Sequence, residues 1–418
     1  MNLSLRRGLT LPVNSDPPKG RDPVTVLTDE AALGRGFGPD FRVDPLVQEG
    51  DVVAHGAPIL RSRRHPEMVI TAPMAGRIAR LDLGPGRVLS QVLMFRDEGA
   101  GRHEYDRGEE TPEALRSLML ETGLWTAFRS RPFGRFPLPG EQPSAIFVMA
   151  HDTRPLAAPA RDVLRGQEDA FARGLDALIR LAEAPVWLVQ GQGRPLARAG
   201  GRLRVIHAGA LHPEGLAGGH IHRHHPATPD RRVWEIDAQE VAALGLLLET
   251  GLLPETRVVS VAGPGLSRPQ LVRCQIGADM RGLVAGLLTP GPRAILSGAL
   301  PAAQEARYLR LRDRIVTVIP RPERRPRDHW FRAALGRAAR PLPIIPTAAV
   351  EQSMAGGIPV MALLRALSSG DHETAVALGA LSLLEEDMAL IDYITAAEPR
   401  FAGLLRACLD AVAIEEGG

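Results

Sequence analysis

Lysine is nearly absent from this chain: Lys19 is the single lysine among 50 basic residues, and arginine supplies the rest. Base composition accounts for most of that bias, but one consequence is chemical, because a guanidinium stays charged at any working pH and cannot accept an acyl group. Cysteine is equally scarce. Cys274 and Cys408 stand far apart and outside any CxxC, which excludes a disulfide framework, a thiolate zinc site and an iron–sulfur cluster held by the chain itself; both are expected as reduced thiols. No apolar run approaches the roughly 18 residues of a membrane span, and the first twenty residues contain no continuous apolar segment of signal-peptide length. The chain is therefore expected to be soluble and cytosolic. A net charge of +2, with basic residues spread along the chain, gives no nucleic-acid footprint. Nucleophile–base pairs, paired carboxylates, phosphate-cradling glycine loops and complete metal shells are also missing from the sequence.

What is present is an ordinary globular composition, 44% hydrophobic and 23% charged over 418 residues, enough for two to four domains at roughly 100–200 residues each. Glycine (43) and proline (36) together stay below the roughly 25–30% that signals disorder. Residues 42–97 alternate short Val, Ile and Leu runs with Gly50-Asp51, Gly56, Ala72-Pro73, Gly76 and Gly84-Pro85-Gly86, the punctuation of hairpins in a small all-β unit. The order G-D-x-V-x-x-G-x-P-I followed by A-P-x-x-G-x-I resembles the biotinyl/lipoyl carrier fold. The hairpin that would present the modified lysine reads RSRRHPEMVI and has none, so the fold is expected without the swinging arm.

From about residue 140 the rhythm becomes β and α in alternation: 144–150 as a buried strand, 162–184 as a helix, 185–191 as a strand and 204–210 as another. That spacing predicts βαβ units on a parallel sheet. Gly191 and Gly193 follow a strand, but Pro195 and Leu196 stand where the dinucleotide fingerprint needs its third glycine, so nucleotide binding is not expected there. In "HPEGLAGGHIHRHHP", an extended chain would point His220, His222 and His224 to one side, as ligands of a zinc site would be; no acid or cysteine lies among those histidines to complete a shell, and the run can equally line an interface. Residues 256–262 open a β-rich unit of strand, turn and helix with a ubiquitin-like rhythm. An arginine- and proline-rich stretch follows and is expected as an exposed linker facing a partner or membrane. The end of the chain, 358–371, 372–394 and 398–418, has the three- and four-residue apolar spacing of helices, with Asp371 as a cap.

The segment ETGLWTAFRSRPFGRFP, 121–137, concentrates aromatic rings and arginines in a chain with only 4% aromatics. A short helix precedes it, with Thr111 as cap, Pro112 at the first position, Leu115, Leu118 and Met119 on one face and Gly123 as its stop. Trp125, Phe128 and Phe133 are expected as core plugs at the turn. Arg129 and Arg131 alternate in a stretch that Pro132 biases toward extended structure, which places both on one face; they are expected to face outward as a patch for a partner or a quinone head.

Several strings together resemble one family: GLWTAFRSRPF (123–133), AIFVMAHDTRPLAA (145–158), HPEGLAGGHIH (212–222), RVVSVAGPGLSRPQLVR (257–273), ALGALSLLEEDMAL (377–390) and LLRACLD (404–410). They are similar to the A subunits of the bacterial sodium-translocating NADH:quinone reductase, over most of the chain. The resemblance implies an α/β multidomain protein: an N-terminal region with a lipoyl-like β domain (1–105), a Rossmann-like α/β domain (106–254), a ubiquitin-like SLBB domain (255–320), the basic linker (321–345) and a C-terminal helical domain (346–418). It also implies a peripheral subunit on the cytoplasmic side of the bacterial inner membrane, docking to membrane partners and serving a quinone site, with ubiquinone as the substrate of the complex. Flavins and iron–sulfur centres would sit on the partner subunits, and this chain would hold no cofactor or metal. Trp125, Phe128, Arg129, Arg131, Phe133, His220 and His222 would then be the residues at the quinone or the partner. The chain departs from the family in a shorter, basic 303–350 region and in Ile391 and Thr395, which stand where the family tends to have cysteines. A stand-alone scaffold and a subunit of a different membrane redox complex remain as alternatives.

Overall fold

The computed structural model describes residues 8–20, 22–34, 36–37, 41–109, 111–321 and 346–416. The basic segment expected as a linker lies, apart from Arg321, outside the described residues.

The first unit is built from antiparallel hairpins. Glu30–Gly34, Leu89–Arg96, Gly76–Leu83 and Val52–Val53 form a four-stranded sheet, and Val43–Pro45, Pro58–Ser62 and Val69–Thr71 a three-stranded one. Alternation sends Leu60, Ile70, Ile78, Val92 and Met94 into a shared core, and the register shift between Pro58 and Leu60 lets the adjacent Ile59 join it. The hairpin that lacks a lysine spans Pro58–Thr71, with Arg63 and Arg64 exposed at its turn.

The second unit is the α/β layer. Its sheet runs Leu203–His207, Val186–Gln190, Ala145–Ala150, Val233–Asp237 and Arg129–Arg131. The first four strands are parallel, and the last is an antiparallel edge strand. Ile146 and Val148 face helices Glu168–Leu181 and Ala238–Thr250, while Ala145 and Phe147 face the other way, onto helix Ala217–His224. The first two helices cross at a pair of glycines. A Cβ on Gly174 would lie 1.9 Å from the Val241 carbonyl oxygen, and one on Gly245 would lie 1.8 Å from that of Ala170. Backbone lies against backbone there, so no side chain can be accommodated.

Residues 255–321 carry a six-stranded mixed sheet, and its outer strand, Val24–Thr25, comes from the N-terminal tail and pairs parallel with Gln270–Cys274. Packing therefore takes part of the 1–105 region into a different sheet. The C-terminal helices Ala348–Gln352, Val360–Ser369, His372–Ala377, Glu385–Thr395 and Phe401–Glu415 enclose a separate apolar core.

Local signals placed the caps correctly: Thr111 accepts the Ala114 N–H at 3.2 Å and Asp371 that of Thr374 at 3.0 Å. Continuity was overestimated. The helix expected over 162–184 is two, Ala160–Val163 and Glu168–Leu181, parted where Gly166 turns left-handed (φ +75°). The block 372–394 breaks at Gly379 (φ +103°) into a helix, a 3-10 turn and a second helix. The histidine run is a helix, Ala217–His224.

Gly245→Ala is expected to destabilise the protein, by about 1–3 kcal/mol or more, although alanine is intrinsically the better helix former. Gly403→Ala, in a helix where an added Cβ meets nothing within 4 Å, should instead raise stability by about 0.5–1 kcal/mol. Thermal melts of the two variants beside the parent check both signs.

Candidate functional site

The chain runs from the strand Ala145–Ala150 outward to Val186–Gln190 and Leu203–His207, then returns to the far side of the first strand as Val233–Asp237. This reversal creates a crevice beyond the carboxyl ends of 145–150 and 233–237, the usual ligand position of an open α/β sheet. A cavity of ≈ 290 Å³ opens there. Its wall from the N-terminal β unit includes Leu33, Phe37, Ile70 and His55, and Leu124, Leu253 and Ile276 extend the apolar lining. The opposite wall is charged. Asp152 and Arg154 follow the first strand, Glu235, Asp237 and Glu240 come with the returning strand and its helix, Arg312 and Arg314 with a loop of the third unit, and Glu386 with the helical unit. All four units meet at this cavity.

Beneath the charged wall lies a buried ion cluster. Arg129 and Arg131 sit on one face of their strand, as the alternation predicted, but that face points inward, and the Arg131 side chain is 0% exposed. Arg131 Nη2 is 2.7 Å from Glu235 Oε2, and its Nη1 donates to Asp387 Oδ2 at 3.0 Å and to the Ser382 carbonyl at 2.9 Å. Arg129 pairs with Glu235 and donates to Glu386 Oε2 at 3.2 Å. Burial pushes the Asp387 carboxyl up to about 6 although Arg131 opposes it. Burial also acts to raise Glu386, but the Arg129 guanidinium at hydrogen-bond distance, with Arg131 and Arg154 near, outweighs it and holds that carboxyl down at about 2. The outward-facing arginine patch expected from the sequence is therefore corrected. Period-two alternation fixes which side chains share a face and leaves open which face is covered, and here three acids cover it.

The aromatics are core plugs, as expected. Trp125, Phe128 and Trp234 are fully buried, with ring centroids 5.0–5.5 Å apart, and Trp125 Nε1 donates to the Pro137 carbonyl at 2.8 Å. Arg116 stacks over Trp125 at 4.9 Å. Phe133 does something else: with a left-handed backbone (φ +86°) it enters the core of the C-terminal helices, and Arg406 holds its carbonyl at 2.9 Å. None of the rings at Trp125, Phe128 and Phe133 forms a surface.

The histidine helix is wedged between sheet and helical unit. A Cβ on Gly218 would lie 2.5 Å from the Asp387 carboxylate, and one on Gly219 would lie 2.5 Å from Ala355 Cβ; the two glycines are what lets the helix seat. His220 is buried and donates from Nε2 to the Glu214 carbonyl at 2.7 Å, while its ring faces that of His224 at 6.5 Å. His222 lies a half-turn away against Gly379. Helical spacing thus separates the side chains that an extended strand would have aligned, and among the described residues no group of three His, Cys, Asp or Glu stands close enough to hold a metal. Ile391 is buried in the helical core, and Thr395 Oγ1 donates to the Ile391 carbonyl at 2.7 Å. These two positions form one helix face.

Of the candidate site residues Trp125, Phe128, Arg129, Arg131, Phe133, His220 and His222, Arg129 alone lines the cavity. Glu235, Glu386, Asp387 and Arg312 were missed. Glu386 and Asp387 stand in the matched string LLEEDM, yet nothing in a sequence pairs them with arginines some 250 positions earlier.

Comparison with known proteins matches three family descriptions in turn: the NqrA N-terminal barrel-sandwich hybrid domain over residues 3–97, the NqrA second alpha/beta domain over 110–253 and the NQRA C-terminal domain over 258–300. The A subunit of the Na(+)-translocating NADH-quinone reductase of Tolumonas auensis is 32% identical, with 99% of this chain and 100% of that protein covered. The corresponding protein from a Marinomonas species, which bears the same name, is 34% identical over 97% and 98%. Among solved structures, a chain of an NAD+-reducing NiFe-hydrogenase superposes with a TM-score of 0.37 at 14% identity, over 71% of this chain and 63% of that one.

Two outcomes are expected from this geometry. Arg131→Ala leaves Asp387 buried without its cation and Glu235 with Arg129 alone, and should cost about 3–5 kcal/mol; Arg129 and Arg131 changed together to Glu should prevent folding. Urea titration of the single variant and soluble yield of the double variant measure these, and a double variant that folds normally would contradict internal pairing. The second outcome concerns pH. Burial pushes His55, with Arg102 beside it, and His212 down to about 4. Both stay neutral in the fold while the unfolded chain takes up protons below about 6.5. Their contribution is therefore complete above pH 6.5 and lost as pH falls toward 4, on the order of 3 kcal/mol each. Melting temperatures from pH 7.5 to 4.5 should fall more steeply for the parent than for His55→Gln.

Proposed function

This chain belongs to the family of A subunits of the Na(+)-translocating NADH-quinone reductase, and from that premise we propose that it works as a peripheral subunit of such a membrane complex, docking to the other subunits and contributing to the quinone site. The observation that carries the reading is likeness over essentially the whole length of both proteins. It leaves the stand-alone scaffold reading without support. No helix among the described residues is long and apolar enough to cross a membrane, so attachment falls to partner subunits, and we place the chain on the cytoplasmic side of the bacterial inner membrane.

We assign the redox centres to those partners. Flavin and iron–sulfur chemistry needs phosphate cradles or thiolate sets, and this chain's two cysteines are buried and single. The N-terminal hairpins are read as a lipoyl-like domain without its lysine, 106–254 as a Rossmann-like domain without its fingerprint, 255–320 as a ubiquitin-like SLBB unit and 346–418 as a helical domain. The quinone role is best placed at the switch-point cavity. Its apolar wall suits a ring and prenyl methyls, and its arginines can donate to carbonyl oxygens.

Affinity purification of the tagged chain from gently solubilised membranes of its host tests the proposal. Co-purification of flavoprotein and membrane subunits with NADH:quinone reductase activity, and loss of that membrane activity on deleting the gene, are expected. A chain that purifies alone and whose deletion leaves membrane activity unchanged would sink it.

A further inference from the structure

We propose that the cavity prefers the anionic over the neutral form of a quinonoid head group, with Arg312 as the counter-ion; the inference rests on the quinone reading of the cavity given above.

The other guanidinium groups of the charged wall already have carboxylates. Arg129 has Glu235 and Glu386; Arg154 has Asp152, with Nη2 and Oδ2 2.6 Å apart. Glu240 serves Arg314 and, at 3.7 Å, Arg257. Arg312 is different. Among the described residues no carboxylate lies within ion-pair distance of it. Its hydrogen bonds go to the backbone carbonyls of Thr126 at 2.9 Å, Ala127 at 3.2 Å and Phe128 at 3.0 Å, while the Phe136 ring lies 5.4 Å from its guanidinium carbon.

Carbonyl oxygens and a ring face carry partial charges, so the Arg312 guanidinium has no carboxylate in direct contact, although Asp237 and Asp313 also line the cavity. Burial, followed by repulsion from Arg129, pushes the Arg312 guanidinium down to about 9, and burial and Arg314 push Arg257 down to about 10. Both remain charged at neutral pH. Glu235 and Glu386 act on Arg312 only through space and are taken up by Arg129 and Arg131. Asp237, on the same wall, caps its helix by accepting the Gln239 N–H at 2.8 Å. Of the five N–H groups on a guanidinium, the three carbonyl bonds leave two for a ligand oxygen, and a charged acceptor strengthens such bonds about twofold over a neutral one. The adjoining apolar wall supplies the contact for the ring that carries the oxygen.

Two probes with the same ring system separate charge from shape: 2-hydroxy-1,4-naphthoquinone, ionised at neutral pH, and 2-methyl-1,4-naphthoquinone, which is neutral. Titration calorimetry of the full isolated chain at pH 7.5 should show the ionised probe binding at least tenfold tighter. Arg312→Gln should abolish the preference by weakening the ionised probe at least tenfold more than the neutral one, and Arg154→Gln should keep that preference. If Arg312→Gln does not fold, Arg312→Lys takes its place, keeping the charge and at least half of the preference on a logarithmic scale. Equal binding of the two probes by the parent, or a preference that survives Arg312→Gln, overturns the inference and leaves the quinone reading standing. Binding of neither probe removes that reading together with what rests on it.

Discussion

Everything around the cavity depends on one buried cation. Arg131 has no contact with water, and two carboxylates from different elements neutralise it: Glu235 on the neighbouring strand and Asp387 on a helix of the C-terminal unit. Such an arrangement contributes little net stability over an apolar equivalent, but removing one partner is expensive because a bare charge stays behind. Its value here is positional. Glu235 is shared with Arg129, and Arg129 reaches Glu386. The pairs that dock the helical unit therefore also shape the charged wall of the cavity.

The docking is completed by contacts that tolerate no extra atoms. Helix Ala217–His224 enters between sheet and helical unit because Gly218 and Gly219 bring its backbone against Asp387 and Ala355. Phe133 reaches in the opposite direction, from the loop after the arginine strand into the helical core, and is fixed by Arg406. Arg312 ties the third unit to the carbonyls at the end of the Trp125 turn. Four units are thereby held round one crevice whose place follows from strand order. For a chain whose proposed role is to dock and to present a quinone site, this convergence of four units is what the fold supplies.

Arginine bias shapes this design. With a single lysine in the chain, planar guanidinium forks make the internal ties, donating at once to carboxylates and to carbonyl oxygens in a way a point-charge ammonium does not. Arg131 and Arg312 use the same fork differently, one fully neutralised by acids and one held mainly by backbone.

The sequence alone determined the features that depend on neighbours in the chain. Glycine and proline punctuation marked the hairpins of 42–97, alternating apolar runs marked the parallel strands, and Thr111 and Asp371 marked helix starts. Trp125 and Phe128 were legible as plugs because large rings beside a helix stop seek burial. The missing lysine in the carrier-like hairpin was a chemical fact at once. Tertiary structure decided the rest. Arg129 and Arg131 were known to share a face, but the acids that turn it inward lie 104 and 256 positions away for Arg131, beyond any local period. His220 and His222 were aligned only on the assumption of an extended backbone; the segment is a helix, and Gly218 and Gly219 let it seat against the helical unit. Val24–Thr25 joined a distant sheet for the same reason: a strand's partner is chosen by the edge available in space. Charge compensation, close approach and edge pairing are sums over the whole chain, so a linear reading fixes which residues can take part in them and the fold fixes which ones do.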